Sequence, residues 1–235
     1  STINDYPANY YFLVLFDHGT GCMGVCYDVT NTSDALSLPE LSQALSSLPV
    51  KMDVVLMDAC AMTMTEVAYQ IKDYANVLIG PEGLGYAPAP YNYYLSSLTS
   101  NPSMLPSEFA IEVVTHYINW CKLISDKDIP SATMSATDLT KITSLIAVID
   151  DLALKSMENK FFYNYMINVA RSQTERYPGP YEGDTGYYID LYHFAQLTSQ
   201  YVLDEELQNA ANQVLTALEN ITIIEANKAL PNSHG

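Results

Sequence analysis

A short, unbroken apolar run at residues 54–57 constrains the fold of this chain more than any other stretch. The run, Val-Val-Leu-Met, leaves no polar face, which is typical of a strand buried on both sides in a parallel sheet. Asp58 and Cys60 follow at once, at the carboxyl end of that strand. Open α/β sheets bind their ligands beyond the carboxyl ends of the strands. The sequence therefore predicts an α/β fold with a mainly parallel sheet, and it puts a carboxylate and a thiol at the functional edge.

The residues after Cys60 predict the start of a helix close to the thiol. Thr63 and Glu66 precede an apolar helical pattern at the spacing of a capping box, in which each side chain bonds the other residue's backbone N–H. The positive end of a helix favours a thiolate over a thiol, so this helix is expected to activate Cys60. The alternative is that Cys60 is a buried cysteine that packs as a small hydrophobic side chain.

A second apolar run, at residues 11–16, also ends in a chemically active side chain. It is followed by Asp17, His18 and Gly19, so His18 too lies at the carboxyl end of a buried strand. If the two strands are neighbours, His18 and Cys60 emerge together, which is the minimum arrangement for nucleophilic thiol catalysis. Gly19 permits a sharp turn, and its N–H and that of Cys60 are candidates for binding an oxyanion. The alternative for His18 is a structural histidine that closes a loop.

The order of these motifs resembles that of the clostripain-like cysteine peptidases, which share a clan with caspases, gingipains and legumain. His18-Gly19 after one apolar strand and Asp58-Ala-Cys60 after the next carry the resemblance. Further similar stretches extend it over nearly the whole chain, at residues 6–11, 61–62, 66–69, 77–80, 90–91 and 188–191.

The resemblance implies a fold, a domain organisation and an activity. The expected fold is a caspase–hemoglobinase-like three-layer αβα sandwich with a mainly parallel sheet and a helical C-terminal part. Residues 1–235 are expected to form a single peptidase domain, clipped at both ends relative to the family. The expected activity is that of a cysteine endopeptidase, in which Cys60 attacks the peptide carbonyl and His18 transfers protons.

Two acidic residues are candidates for substrate specificity. The family prefers Arg or Lys before the scissile bond, which requires a carboxylate at the base of the first specificity pocket. Asp58 lies two residues before the nucleophile, and Glu82 lies in the Gly- and Pro-rich loop of residues 80–91 that is expected to wall the site. The alternatives are that Asp58 bonds nearby amides at the strand end and that Glu82 is a solvated loop acid.

Composition and charge limit the partners. Ten Lys and Arg against 27 Asp and Glu give a net charge of −17, which repels nucleic acid and anionic membranes and favours cationic partners. No apolar run approaches the ~20 residues of a membrane span. We expect a peptide or protein substrate, and the oligomeric state stays open. Because no signal sequence stands at Ser1, the chain is expected to be either cytosolic or already processed. The resemblance implies the second, a bacterial protein in the extracellular space, the periplasm or at the cell surface.

No metal or organic cofactor is expected. Calcium stays open, because some relatives respond to it while the acidic clusters here do not follow the EF-hand pattern. Cys22 and Cys26 are placed either to form a disulfide or to remain free thiols, and neither forms a zinc spacing with a nearby histidine.

Periodicity predicts the remaining elements. The expectations are a helix that begins at Ser37 with Glu40 as its capping partner, a strand at 77–79, a helix through 109–121, a strand at 130–137, a helix capped by Asp138, a helix through 161–169, an exposed loop at 178–186, a helix at 188–201 and a last helix at 207–218.

Two functions from other classes are also open. One is a catalytically silent binding module with the peptidase fold at the cell surface, against which the intact His18–Cys60 pair argues. The other is a cytosolic thiol enzyme unrelated to proteolysis, which a turnover screen with Arg- and Lys-terminated peptides separates from a peptidase.

Overall fold

The structure is a computed structural model that describes residues 2–28, 30–31, 34–158, 162–177 and 188–234. Its strands are β1 (Phe12–Phe16), β2 (Val25–Asp28), β3 (Asp34–Leu36), β4 (Met52–Asp58), β5 (Ala75–Gly80), β6 (Ala132–Asp138), β7 (Arg176–Tyr177), β8 (Tyr188–Ile189) and β9 (Thr222–Lys228). Its α-helices are α1 (Thr2–Asp5), α2 (Leu38–Ser46), α3 (Thr65–Ile71), α4 (Tyr91–Ser100), α5 (Pro106–Leu123), α6 (Ile142–Glu158), α7 (Phe162–Gln173), α8 (Leu191–Tyr201) and α9 (Glu205–Ile221).

A central sheet with the strand order β1-β4-β5-β6-β9 organises the molecule. β1, β4 and β5 are parallel neighbours, whereas β6 is antiparallel to both β5 and β9. All but β6 therefore run in one direction, which confirms the predicted mainly parallel sheet. β1 and β9 form its two edges.

Side-chain alternation along the inner strands builds a core on each face of the sheet. Val55 and Met57 of β4 pack with helices α2, α3, α6 and α9 on one face. Val54 and Leu56 of the same strand pack with α4 and α5 on the other face. Successive strand residues point to opposite faces, so one continuous apolar run serves both cores. The result is the expected three-layer αβα sandwich.

The crossover from β1 to β4 runs through a β2–β3 hairpin and helix α2. The predicted capping box is present at the start of α2, where the N–H of Ser37 donates to Glu40 Oε2 over 3.0 Å. Leu41 and Leu45 bury the inner face of the helix. This connection joins two parallel strands, as sequence patterning predicts for a βαβ unit.

The predicted capping box after Cys60 is wrong. Helix α3 begins at Thr65 with Met64 as its N-cap, and no side chain caps it. Thr63 bonds the end of β5 and the loop after it instead, since its Oγ1 donates to Gly80 O over 3.3 Å and its N–H to Pro81 O over 3.4 Å. The segment between Cys60 and α3 is therefore an irregular turn that is tied to the neighbouring loop.

The late part of the chain departs from the sequence predictions in two places. Helix α8 begins at Leu191 with Asp190 as its N-cap, because Tyr188 and Ile189 form the short strand β8. Strand β9 follows helix α9 directly and was not predicted. The predicted loop at 178–186 lies outside the described residues, as does Phe161.

Lys228 fastens the end of β9 to helix α5. Its ammonium group is buried and donates to Cys121 O over 3.1 Å and to Ile124 O over 2.9 Å. It also pairs with Asp126 at 3.0 Å. A lysine here offsets the negative end of the helix and satisfies its last carbonyl groups. None of the helices in the described part of the chain is long and apolar enough to span a membrane.

Candidate active site

The ends of β1 and β4 bring His18 and Cys60 to one cavity. The two strands pair in parallel up to Phe16 and Asp58, so the residues that follow them leave the sheet at the same edge. A cavity of about 440 Å³ lies there, lined by Phe16, Asp17, His18, Asp58, Ala59, Cys60, Gly85, Tyr86 and Ala87. The imidazole is exposed, the thiol is half-buried, and the two side chains form no hydrogen bond with each other among the described contacts.

Close backbone packing fixes the two strand ends against each other. A Cβ at Gly19 would lie 2.6 Å from the Cys60 carbonyl oxygen and 2.7 Å from Met62 Cγ, so only glycine fits there. Directly after the thiol, buried Ala61 has φ of 58°, in the left-handed region that side chains rarely adopt. Its N–H donates to Gly83 O over 2.7 Å, which holds this turn in place.

The amide of buried Gly19 is not used in pairing with β2. Gly19 and Val25 form an isolated antiparallel bridge, in which Thr20 N–H donates to Gly24 O and Cys26 N–H donates to His18 O, both over 3.0 Å. These hydrogen bonds come from the residues that flank the bridge, so the N–H of Gly19 itself points away from β2.

The loop after β5 lies against the thiol. Gly85 N–H donates to Cys60 Sγ over 3.3 Å, and the Gly85 carbonyl oxygen lies 3.8 Å from the same sulfur. A Cβ at Gly85 would lie 3.6 Å from the Cys60 nitrogen. The loop peptide therefore lies next to both Cys60 Sγ and one of the two candidate oxyanion donors.

The thiol is not activated by a helix start, contrary to the sequence expectation. Burial raises the pKa of Cys60 above its usual value, and Asp58 contributes to that rise. The hydrogen bond from Gly85 N–H opposes the rise. Helix α3 begins at Thr65, one residue later than predicted, and the described hydrogen bond to the sulfur comes from Gly85 N–H and not from an amide at the start of this helix. The resting form of Cys60 is the neutral thiol.

Asp58 lies in the cavity wall as a buried carboxylate with one strong partner. It is 7% exposed and accepts a hydrogen bond on Oδ2 from the phenol O–H of Tyr91, the first residue of α4. Burial raises the pKa of Asp58, and the Tyr91 hydrogen bond opposes that rise. The carboxylate lines the same cavity as the thiol, where it was expected.

The structure puts Glu82 away from the cavity. Its side chain is 5% exposed and points into the interior, so it neither lines the cavity nor meets solvent, contrary to both expectations for it. Its two carboxyl oxygens have no partner in hydrogen-bond geometry among the described residues. Burial raises the pKa of Glu82 to about 7 and nearby Asp190 adds to the rise, while the neighbouring hydroxyl groups of Ser135 and Thr133 oppose part of it by proximity, without a formed hydrogen bond.

Backbone contacts of Glu82 tie the loop to strand β6. The N–H groups of Glu82 and Gly83 both donate to Thr133 Oγ1, over 3.1 and 3.2 Å. Further along the loop, Tyr86 N–H donates to the Tyr117 hydroxyl group over 2.8 Å. The loop is therefore an ordered wall, as its Gly- and Pro-rich sequence predicts.

All four cysteines are free thiols, so Cys22 and Cys26 form no disulfide. Among the described residues, no group of three or more His, Cys, Asp and Glu side chains is arranged to hold a metal ion.

Sequence reasoning missed three contributors to the site. Tyr91 was expected only as a feature of the resemblance, Gly85 only as a loop residue, and Asp17 had no assigned role although it lines the cavity. Their positions depend on how the loop folds back across the sheet edge. The one available signal was the loop itself, which leaves the strand beside that of Cys60.

Comparisons with known proteins bear on the family and the fold. The profile of the clostripain family matches residues 1–232. Among proteins of curated function, none matches the chain significantly.

Several solved structures share the fold. A secreted C11 cysteine protease of Bacteroides thetaiotaomicron, in complex with an irreversible peptide inhibitor, is 22% identical with a TM-score of 0.69, over 96% of this chain and 60% of that one. An inactive zymogen C11 protease of Parabacteroides distasonis is 21% identical with a TM-score of 0.67, over 97% of this chain and 58% of that one. A clostripain of B. thetaiotaomicron with the peptide inhibitor BTN-VLTK-AOMK is 18% identical with a TM-score of 0.65, over 86% of this chain and 79% of that one. The chain thus spans about three fifths of the length of the first two.

Proposed function

The chain belongs to the clostripain family, and from this premise we propose that it is a cysteine endopeptidase whose nucleophile is Cys60 and whose proton-transfer group is His18. The observation that carries the proposal is the single cavity, at the carboxyl edge of a mainly parallel sheet, that both side chains line. Family membership supplies the reaction class, and the cavity supplies the residues.

The proposed mechanism is acyl transfer through a thioester. Since the resting thiol is neutral, His18 takes the proton from Cys60 as Sγ bonds to the peptide carbonyl carbon. The imidazolium then gives this proton to the departing amine as the C–N bond breaks. In the second half, His18 takes a proton from water as the hydroxide adds to the thioester carbonyl carbon, and the bond to Cys60 Sγ then breaks to release the acid. The imidazolium returns its proton to the departing thiolate, which restores the neutral thiol. No step uses a metal or an organic cofactor.

The backbone N–H groups of Gly19 and Cys60 are the proposed oxyanion donors. The free direction of the Gly19 amide supports this role. The Cys60 amide lies next to Gly85, whose added Cβ would stand 3.6 Å from the Cys60 nitrogen. Donors that are already fixed in place stabilise the tetrahedral intermediate without reorganisation during the reaction.

We assign substrate preference for Lys or Arg before the scissile bond to Asp58. Its carboxylate lines the cavity beside the thiol, and a buried carboxylate gains most from a cationic side chain. The peptide of the inhibitor bound to one relative, VLTK, ends in lysine, which supports the same preference here. The net charge of −17 also favours the approach of cationic peptides. Glu82 has no role in the pocket in this proposal, because it is buried elsewhere.

The proposed setting is outside the cytoplasm of a bacterium, with peptides or proteins as substrates. A relative that shares the fold is described as a secreted protease, which supports this setting.

The test is hydrolysis of fluorogenic peptides by the wild type and by the Cys60→Ala and His18→Ala variants. We expect wild-type turnover of Lys- and Arg-terminated peptides, no detectable turnover with Cys60→Ala, and a loss of at least about 10²-fold with His18→Ala. A thiol-reactive peptide ending in lysine should label the wild type and not Cys60→Ala. Cys22→Ala, which removes an exposed thiol outside the cavity, is the matched control. Turnover by Cys60→Ala at the wild-type rate contradicts the assignment, and absence of both turnover and labelling in the wild type favours a silent binding module.

A further inference from the structure

A neutral donor holds the carboxylate in the cavity wall. The phenol of Tyr91 donates to Asp58 Oδ2. Among the described residues no lysine, arginine or histidine forms an ion pair with Asp58. The negative charge of Asp58 is thus stabilised by a hydrogen bond and not cancelled, which leaves it available to a cation in the cavity.

Aromatic packing fixes that donor. The ring centroids of Tyr91 and Tyr94 lie 5.3 Å apart at an interplanar angle of 60°, and Tyr94 meets Phe109 at 6.3 Å and 74°. Tyr94 is 1% exposed, so the cluster is anchored in the core that α4 and α5 form with the sheet. Burial raises the pKa of both phenols above the usual range, so each remains protonated at neutral pH. Tyr91 is therefore a permanent donor in a fixed position.

The surroundings of Asp58 explain why such a donor is needed. Besides Tyr91, the titratable groups that interact with Asp58 or share its cavity are Cys60, Tyr86, Tyr94, Tyr117, Asp17 and His18. His18 is the one among them that can become positively charged, and it lies at the exposed side of the cavity. Burial favours the neutral acid, so without the Tyr91 hydrogen bond the carboxylate loses its main stabilising contact.

We propose that Tyr91 is a positioning residue, which keeps Asp58 ionised and directed into the cavity so that the site selects a cationic side chain next to the scissile bond. This inference rests on the proposed function. Tyr91 is not among the residues that line the cavity, so it acts through Asp58 and does not touch the substrate.

The first arm of the test compares Tyr91→Phe with the wild type on peptides that differ only in ending with lysine or with norleucine, its uncharged analogue. Loss of a hydrogen bond to a charged group should raise KM for the lysine peptide about tenfold or more, while kcat and the norleucine reaction stay nearly unchanged. Tyr93→Phe is the matched control, because Tyr93 is on the same helix but is 54% exposed and stacks on His116. Thermal unfolding of each variant checks that the fold is kept.

The pH profile separates positioning from a merely structural role. Without the hydrogen bond the pKa of Asp58 rises further, so the carboxylate becomes protonated at a higher pH. The acid limb of kcat/KM for the lysine peptide should then shift to higher pH in Tyr91→Phe, whereas the norleucine profile should not move. Tyr91→Phe should also add nothing to the loss of lysine preference that Asp58→Asn causes alone. Independent, additive losses, or equal losses on both peptides, overturn the proposal.

The second arm measures binding without turnover. Calorimetry on Cys60→Ala should show tighter binding of the lysine peptide than of the norleucine peptide, and adding Tyr91→Phe should remove most of that difference. If the wild type cleaves neither peptide but this binding pattern holds, the proposed activity fails and the assignment of Tyr91 stands. If Cys60→Ala binds both peptides equally, or if Tyr91→Phe leaves the preference intact, the assignment of Tyr91 is overturned whatever the turnover.

Discussion

At the scale of single residues, Glu82 is the most unusual side chain in the molecule. It is a carboxylic acid whose side chain is buried and has no hydrogen-bond partner among the described residues. It belongs to the loop whose Gly85 lies against Cys60. The ionised form is costly in such a place, so the folded chain holds a proton that the unfolded chain releases.

This proton makes stability depend on pH in a defined direction. The pKa of Glu82 rises on folding from 4.5 to about 7. Between those values the folded state binds one proton more than the unfolded state, so the free energy of unfolding falls as pH rises and then levels off above about 7. Glu82→Gln removes the ionisation while keeping the shape of the side chain. We therefore expect the difference in the free energy of unfolding between this variant and the wild type to be more favourable to the variant at pH 8 than at pH 4, by on the order of 3 kcal/mol.

Denaturant unfolding at a series of pH values measures this difference. Glu66→Gln is the control, since Glu66 is exposed on α3 and its replacement should leave the pH dependence as it is. A wild-type curve parallel to that of Glu82→Gln across this range would mean that Glu82 is solvated in the folded protein.

At the scale of elements, the loop at residues 80–90 carries much of the site. It contacts the thiol at Gly85 and is fixed to β6 through Thr133. An alanine at Gly85 makes only ordinary contacts, the shortest 3.4 Å to Pro81 Cγ, but its methyl group would stand 3.6 Å from the Cys60 amide. It therefore fits the fold and obstructs a proposed oxyanion donor.

We predict that Gly85→Ala keeps the wild-type unfolding temperature to within a few degrees and lowers kcat by about tenfold or more, because a blocked oxyanion donor costs that much or more. Gly83→Ala is the matched control, as its Cβ would meet only the Tyr177 ring, at 3.5 Å. Steady-state kinetics on one lysine peptide compares the kcat values of Gly85→Ala and Gly83→Ala. Equal kcat values for the two variants would remove the Cys60 amide from the mechanism.

The sequence predicted elements where local pattern and tertiary environment agree. The runs at residues 11–16 and 54–57 are apolar on both faces and form the partly covered strand β1 and the inner strand β4. Ser37 and Glu40 form the predicted capping box of helix α2. Thr63 and Glu66 have the same local pattern, but Thr63 bonds to Gly80 and Pro81, at the end of β5 and in the loop after it, instead of capping α3. Strand β9 was missed because no glycine or proline separates it from α9, although its β-branched residues favour a strand.

The site was predictable to the same extent. His18, Cys60 and Asp58 follow strands directly, so strand order alone brings them together. Tyr91 and Glu82 lie in or after a loop, where the direction of a side chain depends on contacts with α5 and β6 that no local pattern encodes.

At the scale of the whole molecule, the distribution of basic residues limits where the chain can be cut. Residues 19–50 contain no lysine or arginine, and Lys51 directly precedes β4. Met52 N–H donates to Tyr74 O over 2.8 Å and its side chain is 3% exposed, so the bond after Lys51 is held in the sheet. A protease needs an accessible, extended segment, which this is not.

We therefore predict that the active protein remains a single chain through Lys51, and that any processing falls elsewhere, such as at exposed Lys127. Intact-mass analysis of the active protein measures this. A fragment ending between Gly19 and Lys51 that appears together with activity, and is absent from Cys60→Ala, would contradict the prediction.

The late position of β9 has a consequence for the order in which this molecule is made. Every residue of the candidate site, up to Tyr91, lies in the part of the chain that the ribosome delivers first, and β1, β4 and β5 need only short crossovers to pair. The strand that completes the sheet arrives more than a hundred residues later, and Lys228 fastens it only after α5 has formed. A nascent chain thus presents Cys60 long before β9 pairs with β6.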